Sequence, residues 1–264
     1  MPKGRGSVTP IQRALRQFEA LFPTPTPIPT VRRFLPDATV VVLSPHPDDE
    51  ILSGGLALRL QDECHLRIVN VAMTLGSDPR RKRARRLELA RATRRLGWEN
   101  VVLPEDWAQK KKRLCLLLAR LRPALVIAPH IHDHHPTHVR TAALVREWLQ
   151  RARPETTVAW AEYWAPQARP NLLLEIPRAT LERQITALEC HAGEIERNPY
   201  HLRLPAWQMD NVRRGSEWLA GKGAPSPSFP FGQLYRVERW AAGKGRGIPG
   251  PLMLGRDGDP SDVI

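Results

Sequence analysis

Short apolar runs rich in β-branched residues alternate with helical segments through the middle of the chain. The clearest strands are predicted at Thr39–Ser44, Leu66–Ala72 and Ala124–Ala128, and weaker ones at Val101–Leu103 and Thr157–Trp164. The helices predicted between them cover Glu50–Asp62, Arg83–Leu96, Trp107–Leu121 and Val139–Arg151. Continuous apolar strands that alternate with helices favour a parallel sheet covered on both faces. The sequence therefore predicts a doubly wound α/β fold.

Composition changes at both ends of this alternating region. Residues 1–36 hold a short amphipathic segment, Pro10 to Phe22, followed by the run PTPTPIPT at Pro23–Thr30. Proline at every second position excludes a helix or a sheet ladder and indicates an extended connector. From Ala241 onward Gly and Pro are frequent, which predicts a loosely ordered tail. We therefore divide the chain into an N-terminal extension (1–36), an α/β domain (37–240) and a C-terminal tail (241–264).

Overall composition limits the class of protein. The chain has 264 residues, a formal net charge of +13 and an ordinary hydrophobic fraction of 42%, which excludes wholesale disorder. No apolar run approaches the roughly 20 residues that cross a bilayer, and the N-terminus lacks the apolar stretch of a secretory signal. Three scattered cysteines (Cys64, Cys115 and Cys190) form no disulfide framework, so we expect a cytoplasmic protein.

Two polar motifs follow directly after two of the predicted strands. The first strand runs into Ser44-Pro-His-Pro-Asp-Asp-Glu50, and the strand at Ala124–Ala128 runs into Pro129-His-Ile-His-Asp-His-His-Pro-Thr-His138. Five of the nine histidines lie between residues 130 and 138, a crowding that packing alone does not explain. Because the carboxyl ends of parallel strands share one edge of the sheet, we expect both motifs to meet at a ligand site there.

The residue types in these motifs are those of a catalytic zinc centre. His46 and Asp49, three residues apart at the start of a helix, can point at one metal ion, and an imidazole from the second motif completes a three-ligand site with an open position. Asp48 then points elsewhere and is a candidate general base. His135 and His138 can divide metal binding and oxyanion stabilisation between them. The alternatives are an ordinary helix N-cap in the first motif and a solvated histidine loop in the second.

The sequence resembles the LmbE / PIG-L family of zinc-dependent N-acetylglucosaminyl deacetylases. Pro45–Glu50 matches the opening PHPDDE motif of that family, and His135–His138 matches its HPDH motif with Thr137 in place of Asp. Weaker similarities lie at Gly76–Ser77, Arg85–Leu89, Leu96–Gly97, Ala187–His191, Arg214–Gly215 and Leu234–Val237. The resemblance covers residues 38–240 and implies a Rossmann-like three-layer sandwich with a mostly parallel sheet.

The resemblance also implies a role for each motif residue. By position, His46, Asp49 and His138 correspond to the zinc ligands. Asp48 corresponds to the general base, and His135 to the histidine that stabilises the oxyanion or acts as an acid. The implied reaction removes an acetyl or related acyl group from an N-acetylglucosaminyl-type amide. The implied substrate is an amino-sugar compound or a glycolipid.

The resemblance leaves two positions open, the role of Arg85 and the effect of Thr137. Arg85 corresponds to a substrate-contacting arginine, with a solvated helix face as the alternative. Thr137 removes a carboxylate beside the second motif, which affects either the orientation of the histidines or contacts with the substrate. Because the ligand positions are intact, we expect the zinc ion to bind.

Two other functions remain open at this point. Asp133-His-His135 spells the DHH motif of manganese-dependent phosphoesterases, but that family needs carboxylates at alternate positions, whereas Asp48 and Asp49 are adjacent. Nitrogen ligands also favour zinc over manganese. The second alternative is a basic, non-catalytic module that binds nucleic acid or another anionic surface through Arg80–Arg86 and Lys110–Arg113.

The sequence says less about partners. No nucleic-acid motif accompanies the basic runs, so we expect no specific nucleic-acid partner, and arginine on solvated faces explains the charge equally well. An anionic substrate and a homo-oligomer are both compatible with the sequence. Trp160, Tyr163 and Trp164 follow a late strand and either stack on a sugar ring or pack in the core.

Overall fold

The computed structural model describes residues 8–22, 33, 35–250 and 252–264. The helices are α1 (Pro10–Glu19), α2 (Asp49–Leu52), α3 (Gly55–Cys64), α4 (Lys82–Leu96), α5 (Trp107–Leu121), α6 (Pro136–Ala152), α7 (Arg178–Leu188), α8 (Ala192–Arg197) and α9 (Tyr200–Leu219). The strands are β1 (Thr39–Ser44), β2 (Arg67–Ala72), β3 (Glu99–Val102), β4 (Leu125–Pro129), β5 (Thr156–Ala161), β6 (Leu172–Glu175), β7 (Gly232–Ala241), β8 (Lys244–Gly247) and β9 (Leu252–Leu254). A 3-10 helix spans Pro260–Val263.

The described strands form one mixed sheet. Its order is β3-β2-β1-β4-β5-β7-β6-β9, with β8 paired to β7 at the side. The first five strands are parallel neighbours, whereas β7 runs antiparallel to both β5 and β6. Helices cover both faces of this sheet. The prediction of a three-layer α/β sandwich with a mostly parallel sheet is confirmed.

Alternate residues of the central strands point into two separate cores. Val40 and Val42 of β1 pack with α3 and α7 on one face, and Val41 and Leu43 pack with α5 and α6 on the other. All six residues of β1 are buried. A strand covered on both faces has no solvent side, which is why its sequence is continuously apolar rather than alternating.

The strand order reverses beside β1. The chain passes from β1 to β2 on one side and later returns to β4 on the other side of β1. A crevice therefore opens outside the carboxyl ends of β1 and β4, the place where open α/β sheets bind ligands. Both polar motifs follow these two strands.

The helix predicted over Glu50–Asp62 is two helices in the structure. α2 ends at Leu52, and α3 begins at Gly55 after a break at Ser53 and Gly54. A Cβ atom at Gly54 would lie 2.9 Å from the ring of Trp98 and 2.5 Å from the carbonyl oxygen of Glu50. Glycine at position 54 therefore allows the chain to break between α2 and α3 and to pack closely against Trp98. The helical pattern of the sequence gives no sign of this break.

The C-terminal segment is ordered in the described residues, and the prediction of a loosely ordered tail is wrong there. Lys244–Gly247 pairs with β7, and Leu252–Leu254 pairs with β6. The fully buried Arg59 of α3 donates hydrogen bonds to the carbonyl oxygens of Gly255 at 3.0 Å and Gly258 at 3.1 Å. Local Gly and Pro content could not reveal this anchor, because the arginine is remote in sequence.

The N-terminal region is described only in part. The predicted amphipathic segment contains α1, which reaches α7 through an ion pair between Glu19 and Arg178 at 2.8 Å. The proline-rich connector predicted at Pro23–Thr30 lies outside the described residues. In the described part of the chain, no helix combines the length and the apolar character needed to cross a membrane.

Candidate metal and catalytic site

Both motifs lie at the carboxyl edge of the sheet, as the sequence predicts. β1 ends at Ser44 and α2 begins at Asp49, so His46 and Asp48 lie in the intervening turn. β4 ends at Pro129, and His135 is the N-cap residue of α6. Because β1 and β4 are paired, the two turns face each other across one crevice.

The carboxylate of Asp49 joins the two motifs. Its Oδ2 atom lies 3.2 Å from Nδ1 of His46 and 3.2 Å from Nε2 of His138. The side chain of His138 is fully buried, whereas that of His46 keeps 17% of its exposure. Ring nitrogens of His46, His135 and His138 all lie within 4.8 Å of one another. The structure thus brings the three expected ligands together and adds His135 beside them.

This donor set fits a zinc ion. Tetrahedral zinc, with ligands at about 2.0–2.2 Å, separates neighbouring donor atoms by about 3.4 Å. Both 3.2 Å distances at Asp49 are close to that separation. The buried Nε2 atom of His138 has no hydrogen-bond partner. Within the described ranges, the one group of three side chains that could hold a metal ion is that of His46, His135 and His138.

The buried carboxylates of the cluster favour a positive charge between them. Burial opposes ionisation of Asp49, but His138 and His46 hold the pKa of that carboxyl far below its usual range. Burial likewise opposes protonation of His138, but the carboxylates of Asp49 and Asp133 raise the pKa of that imidazole to about 10. A cation, either a proton or a metal ion, is therefore strongly favoured between these two carboxylates.

Asp133 orients the second motif, a role that sequence reasoning missed. Its Oδ1 atom accepts a hydrogen bond from the backbone N–H of His135 at 2.8 Å and lies 3.5 Å from Nδ1 of His138. Its Oδ2 atom accepts from the backbone N–H of Trp164 at 3.1 Å. A carboxylate on the far ring nitrogen is the usual support for a metal-binding histidine. Asp133 therefore supplies such a carboxylate although Thr137 does not, and its place two residues before His135 was the available signal.

Tyr163 supports the cluster from the opposite side. Its ring packs edge-on against His138 with centroids 4.8 Å apart. Its hydroxyl lies 2.5 Å from Oγ of Ser53, which donates a hydrogen bond to the carbonyl oxygen of Asp49 at 3.1 Å. These contacts fix the ring of His138 and the start of α2 relative to each other.

His135 has a defined tautomer. Its Nδ1 atom accepts a hydrogen bond from the backbone N–H of Thr137 at 3.2 Å. Burial and the neighbouring His46 and His138 lower the pKa of His135, so its ring is neutral near pH 7. A neutral imidazole that accepts at Nδ1 carries its proton on Nε2. His135 therefore offers a hydrogen-bond donor, at ring-centroid distances of 4.6 Å from His46 and 5.1 Å from His138.

Asp48, the residue before Asp49, has an unusual backbone conformation. Its φ angle is 108°, which is rare for a residue with a side chain and costs about 1–3 kcal/mol. Although Asp48 occupies the N-cap position of α2, its side chain makes no capping hydrogen bond. Burial, followed by the charges of Asp49 and Glu50, raises the pKa of Asp48 well above its usual value. A buried carboxyl of this kind is typical of groups that accept and return a proton.

Arg85 reaches the first motif from α4. Its Nη2 atom donates a hydrogen bond to the carbonyl oxygen of Pro47 at 3.1 Å and lies 3.5 Å from Glu194. Gly76, at φ 88°, makes room for the guanidinium, because a Cβ atom there would lie 2.2 Å from Nη1 of Arg85. Arg85 is thus beside the site, and its contact with a substrate stays a prediction.

The remaining candidate aromatic and histidine side chains divide into packing and surface groups. Trp160 is buried, and its Nε1–H donates to Glu238 at 3.0 Å, so it belongs to the core. Trp164 is 47% exposed and lies near Tyr200. His130 is buried with Nε2 2.8 Å from the carbonyl oxygen of Ala165, whereas His132 and His134 are exposed. The crowding of histidines therefore reflects two site residues, one packing residue and two surface residues.

Comparison with known protein families finds one that is similar to the segment carrying this site. Residues 41–149 match the family described as PIG-L, GlcNAc-PI de-N-acetylase. This segment is similar to the PIG-L family. The match includes both motifs and ends within α6, so the matched segment contains His46, Asp48, Asp49, His135 and His138. No curated protein matches the chain.

Solved structures share the fold at low sequence identity. The N,N'-diacetylchitobiose deacetylase of Pyrococcus horikoshii is 19% identical, with a TM-score of 0.58 over 75% of this chain and 83% of that one. The A40926 pseudoaglycone deacetylase Dbv21 is 16% identical, with a TM-score of 0.56 over 77% of this chain and 98% of that one. The 4-carboxy-2-hydroxymuconate hydratase GalB of Pseudomonas putida KT2440 is 18% identical, with a TM-score of 0.59 over 76% and 95%. At this level of identity the likenesses establish the fold alone.

Proposed function

We propose that this chain is a zinc-dependent hydrolase that removes an acetyl or related acyl group from an N-acetylglucosaminyl-type amide. The observation that carries the proposal is the Asp49 carboxylate between ring nitrogens of His46 and His138, within the segment that is similar to the PIG-L family. The fold alone does not choose the reaction, because the solved structures that share it include deacetylases and a hydratase. The choice of an amide therefore rests on the family and on the groups around the cluster.

The proposed zinc ligands are His46, Asp49 and His138. The tautomer of His135 argues against a fourth protein ligand, because a protonated Nε2 atom has no lone pair to offer a metal ion. Three protein ligands leave one position of a tetrahedral zinc ion open, which is the pattern of catalytic rather than structural sites. His135 is then available as a hydrogen-bond donor.

The proposed reaction assigns the proton and charge movements to two residues. A bound zinc ion would polarise the amide carbonyl and acidify a water molecule. Asp48 takes a proton from the attacking water while the oxygen of that water forms a bond to the carbonyl carbon. His135 donates its Nε2–H to the developing oxyanion. Asp48 then returns the proton to the amide nitrogen as the C–N bond breaks, releasing the carboxylic acid and the free amine.

Side chains at the edge of the crevice support an amino-sugar substrate. Trp164 is joined to the site through its backbone hydrogen bond to Asp133, and its exposed indole offers a flat face on which a sugar ring can stack. Arg85 places a cation beside Pro47, where it can meet a hydroxyl or an anionic group of the substrate.

The test combines zinc content with amine release. Wild-type protein and Asp48→Asn are assayed with N-acetylglucosamine, N,N'-diacetylchitobiose and an N-acetylglucosaminyl glycolipid. Asparagine is isosteric and tolerates a positive φ angle, so the backbone at this position is preserved. We expect one zinc per chain in both proteins and turnover only in the wild type. Asp78→Asn, which removes an exposed ion pair with Arg80, is the matched control and should leave turnover unchanged.

The other outcomes separate the alternative functions. Bound zinc with hydrolysis of bis(4-nitrophenyl) phosphate and no amine release would favour the phosphoesterase. A protein that binds no zinc but is retained on heparin in a salt-dependent manner would favour the basic binding module. The basic runs give that module limited support, since Lys82 and Lys111 pair with Glu105 and Glu147, and Lys110 is buried.

A further inference from the structure

A second pair of ionisable side chains is buried directly behind the first motif. Nε2 of His191 and Oε1 of Glu50 lie 2.8 Å apart, and both side chains are fully buried. A carboxylate can only accept, so the Nε2–H of His191 donates this hydrogen bond. Burying such a pair away from solvent is costly unless hydrogen bonds compensate it. Each oxygen of Glu50 has a hydrogen-bond donor, whereas Nδ1 of His191 has no hydrogen-bond partner in the described part of the chain. The proposed chemistry does not use either residue.

The other oxygen of Glu50 holds the backbone of Asp48. Its Oε2 atom accepts the backbone N–H of Asp48 at 2.8 Å, at the residue whose φ angle is 108°. The N–H groups of Asp49 and Ile51 bond instead to the backbone carbonyl oxygens of His46 and Asp48. The strained residue is therefore pinned by a side chain rather than by the helix itself.

His191 reaches this position from a remote part of the chain. It lies between α7 and α8, with its own N–H bonded to the carbonyl oxygen of Leu188 at 2.9 Å and its carbonyl bonded to the N–H of Glu194 at 2.9 Å. These bonds fix the backbone of His191 on both sides. The imidazole is consequently a rigid donor that fixes which way the Glu50 carboxylate faces.

We propose that His191 and Glu50 are positioning residues that hold Asp48 in its strained conformation. The chain of contacts runs from the imidazole of His191 to the carboxylate of Glu50 and then to the backbone N–H of Asp48. The strained backbone keeps the Asp48 side chain free of the capping bond that a relaxed N-cap residue would make. The inference rests on the proposed function for the role of Asp48, but the contacts themselves can be tested separately.

The experiment compares two substitutions of His191. His191→Gln keeps an N–H donor at a similar reach, whereas His191→Ala removes it. We expect His191→Ala to lower kcat by about 10- to 100-fold, as loss of an orienting partner does, with KM and zinc content unchanged. His191→Gln should recover most of the loss. Leu149→Ala, in the core on the other face of the sheet, is the control for lost stability without lost positioning.

A second measurement does not depend on turnover. Hydrogen exchange of the Asp48 amide, followed by NMR, should be slow in the wild type and in His191→Gln, and at least tenfold faster in His191→Ala. Equal exchange and equal kcat in the two His191 variants, or a loss of zinc rather than of kcat, would overturn the proposal. Absence of amine release from the wild type would refute the deacetylase, while the exchange rates would still decide whether the pair holds Asp48.

Discussion

Replacing Asp133 with alanine should weaken zinc binding without touching any proposed ligand. Asp133 is buried and joins three groups: the backbone N–H of His135, the backbone N–H of Trp164 and the far ring nitrogen of His138. Alanine leaves both N–H groups without a partner and removes the carboxylate that favours a cation near His138. The ring of His138 then loses the carboxylate that lies 3.5 Å from its far nitrogen.

The expected losses of zinc affinity and of folding stability follow from these contacts. Loss of a carboxylate behind a metal-binding histidine typically weakens metal binding 10- to 100-fold, which is about 1.4–2.7 kcal/mol. Each buried N–H left without a partner costs about 1–3 kcal/mol of folding stability. Asp133→Asn should be intermediate, because its single carbonyl oxygen can accept from only one of the two N–H groups.

The assay is competition for zinc against a chromophoric chelator at fixed pH, with urea unfolding measured in parallel. Asp106→Ala is the matched control, since Asp106 accepts the N–H of Gln109 at the start of α5 and is remote from the site. The control should lose stability but keep its zinc affinity. Equal zinc affinities for Asp133→Ala and the wild type would refute the orienting role of Asp133.

Four further outcomes are expected. Removing zinc with a chelator should lower the melting temperature by roughly 5–10 °C, because a ligand at 100 times its Kd stabilises the fold by about 2.7 kcal/mol. Zinc binding at pH 7 should release at least about one proton, since His138 has a pKa of about 10 without metal, and calorimetry in buffers of different ionisation enthalpy measures this number. Arg59→Leu should lower the free energy of unfolding by about 3–5 kcal/mol, measured with urea, because it removes the ion pair of the buried guanidinium with Glu63 and its hydrogen bonds to the carbonyl oxygens of Gly255 and Gly258. Cys64 should resist iodoacetamide at pH 8 in the native protein and react after unfolding, because it is fully buried and its pKa is raised to about 11, and mass spectrometry detects the adduct.

The parallel half of the fold could be predicted because its signals are local. β1, β2 and β4 are buried on both faces, and each is followed by a helix, so continuous apolar runs marked them. β6 and β9 escaped, since each is three or four residues long and is stabilised only by pairing with a distant strand. Pairing with a strand that is distant in the sequence leaves no periodic pattern in the sequence itself.

The proposed ligands of the candidate site could be predicted from local signals, whereas its supporting contacts could not. Spacing and strand ends sufficed to bring His46, Asp49 and His138 together, because neighbouring parallel strands fix where their following turns lie. The supporting contacts of Asp133 and His191 were not predictable, since each depends on a loop that folds back over the sheet. Residue types alone also left the roles of the two motif histidines open, and only the hydrogen bond from Thr137 to His135 distinguishes them.

The charges around the crevice explain why so many acidic groups can be buried in one place. Asp48, Asp49, Glu50 and Asp133 are all buried within the two motifs, and each needs either a cation or N–H donors to remain there. Glu50 and Asp133 are satisfied by backbone N–H groups and histidines. Asp49 accepts the backbone N–H of His46 at 2.9 Å and lies beside the imidazoles of His46 and His138, which hold its pKa far below the usual range. Asp48 makes no capping hydrogen bond, and the nearby charge of Arg85 offsets its burial only in part. The carboxyl left with the weakest protein compensation is thus the proposed base, which is expected where moving a proton is a function of the site, while the proposed ligand keeps its negative charge for a cation.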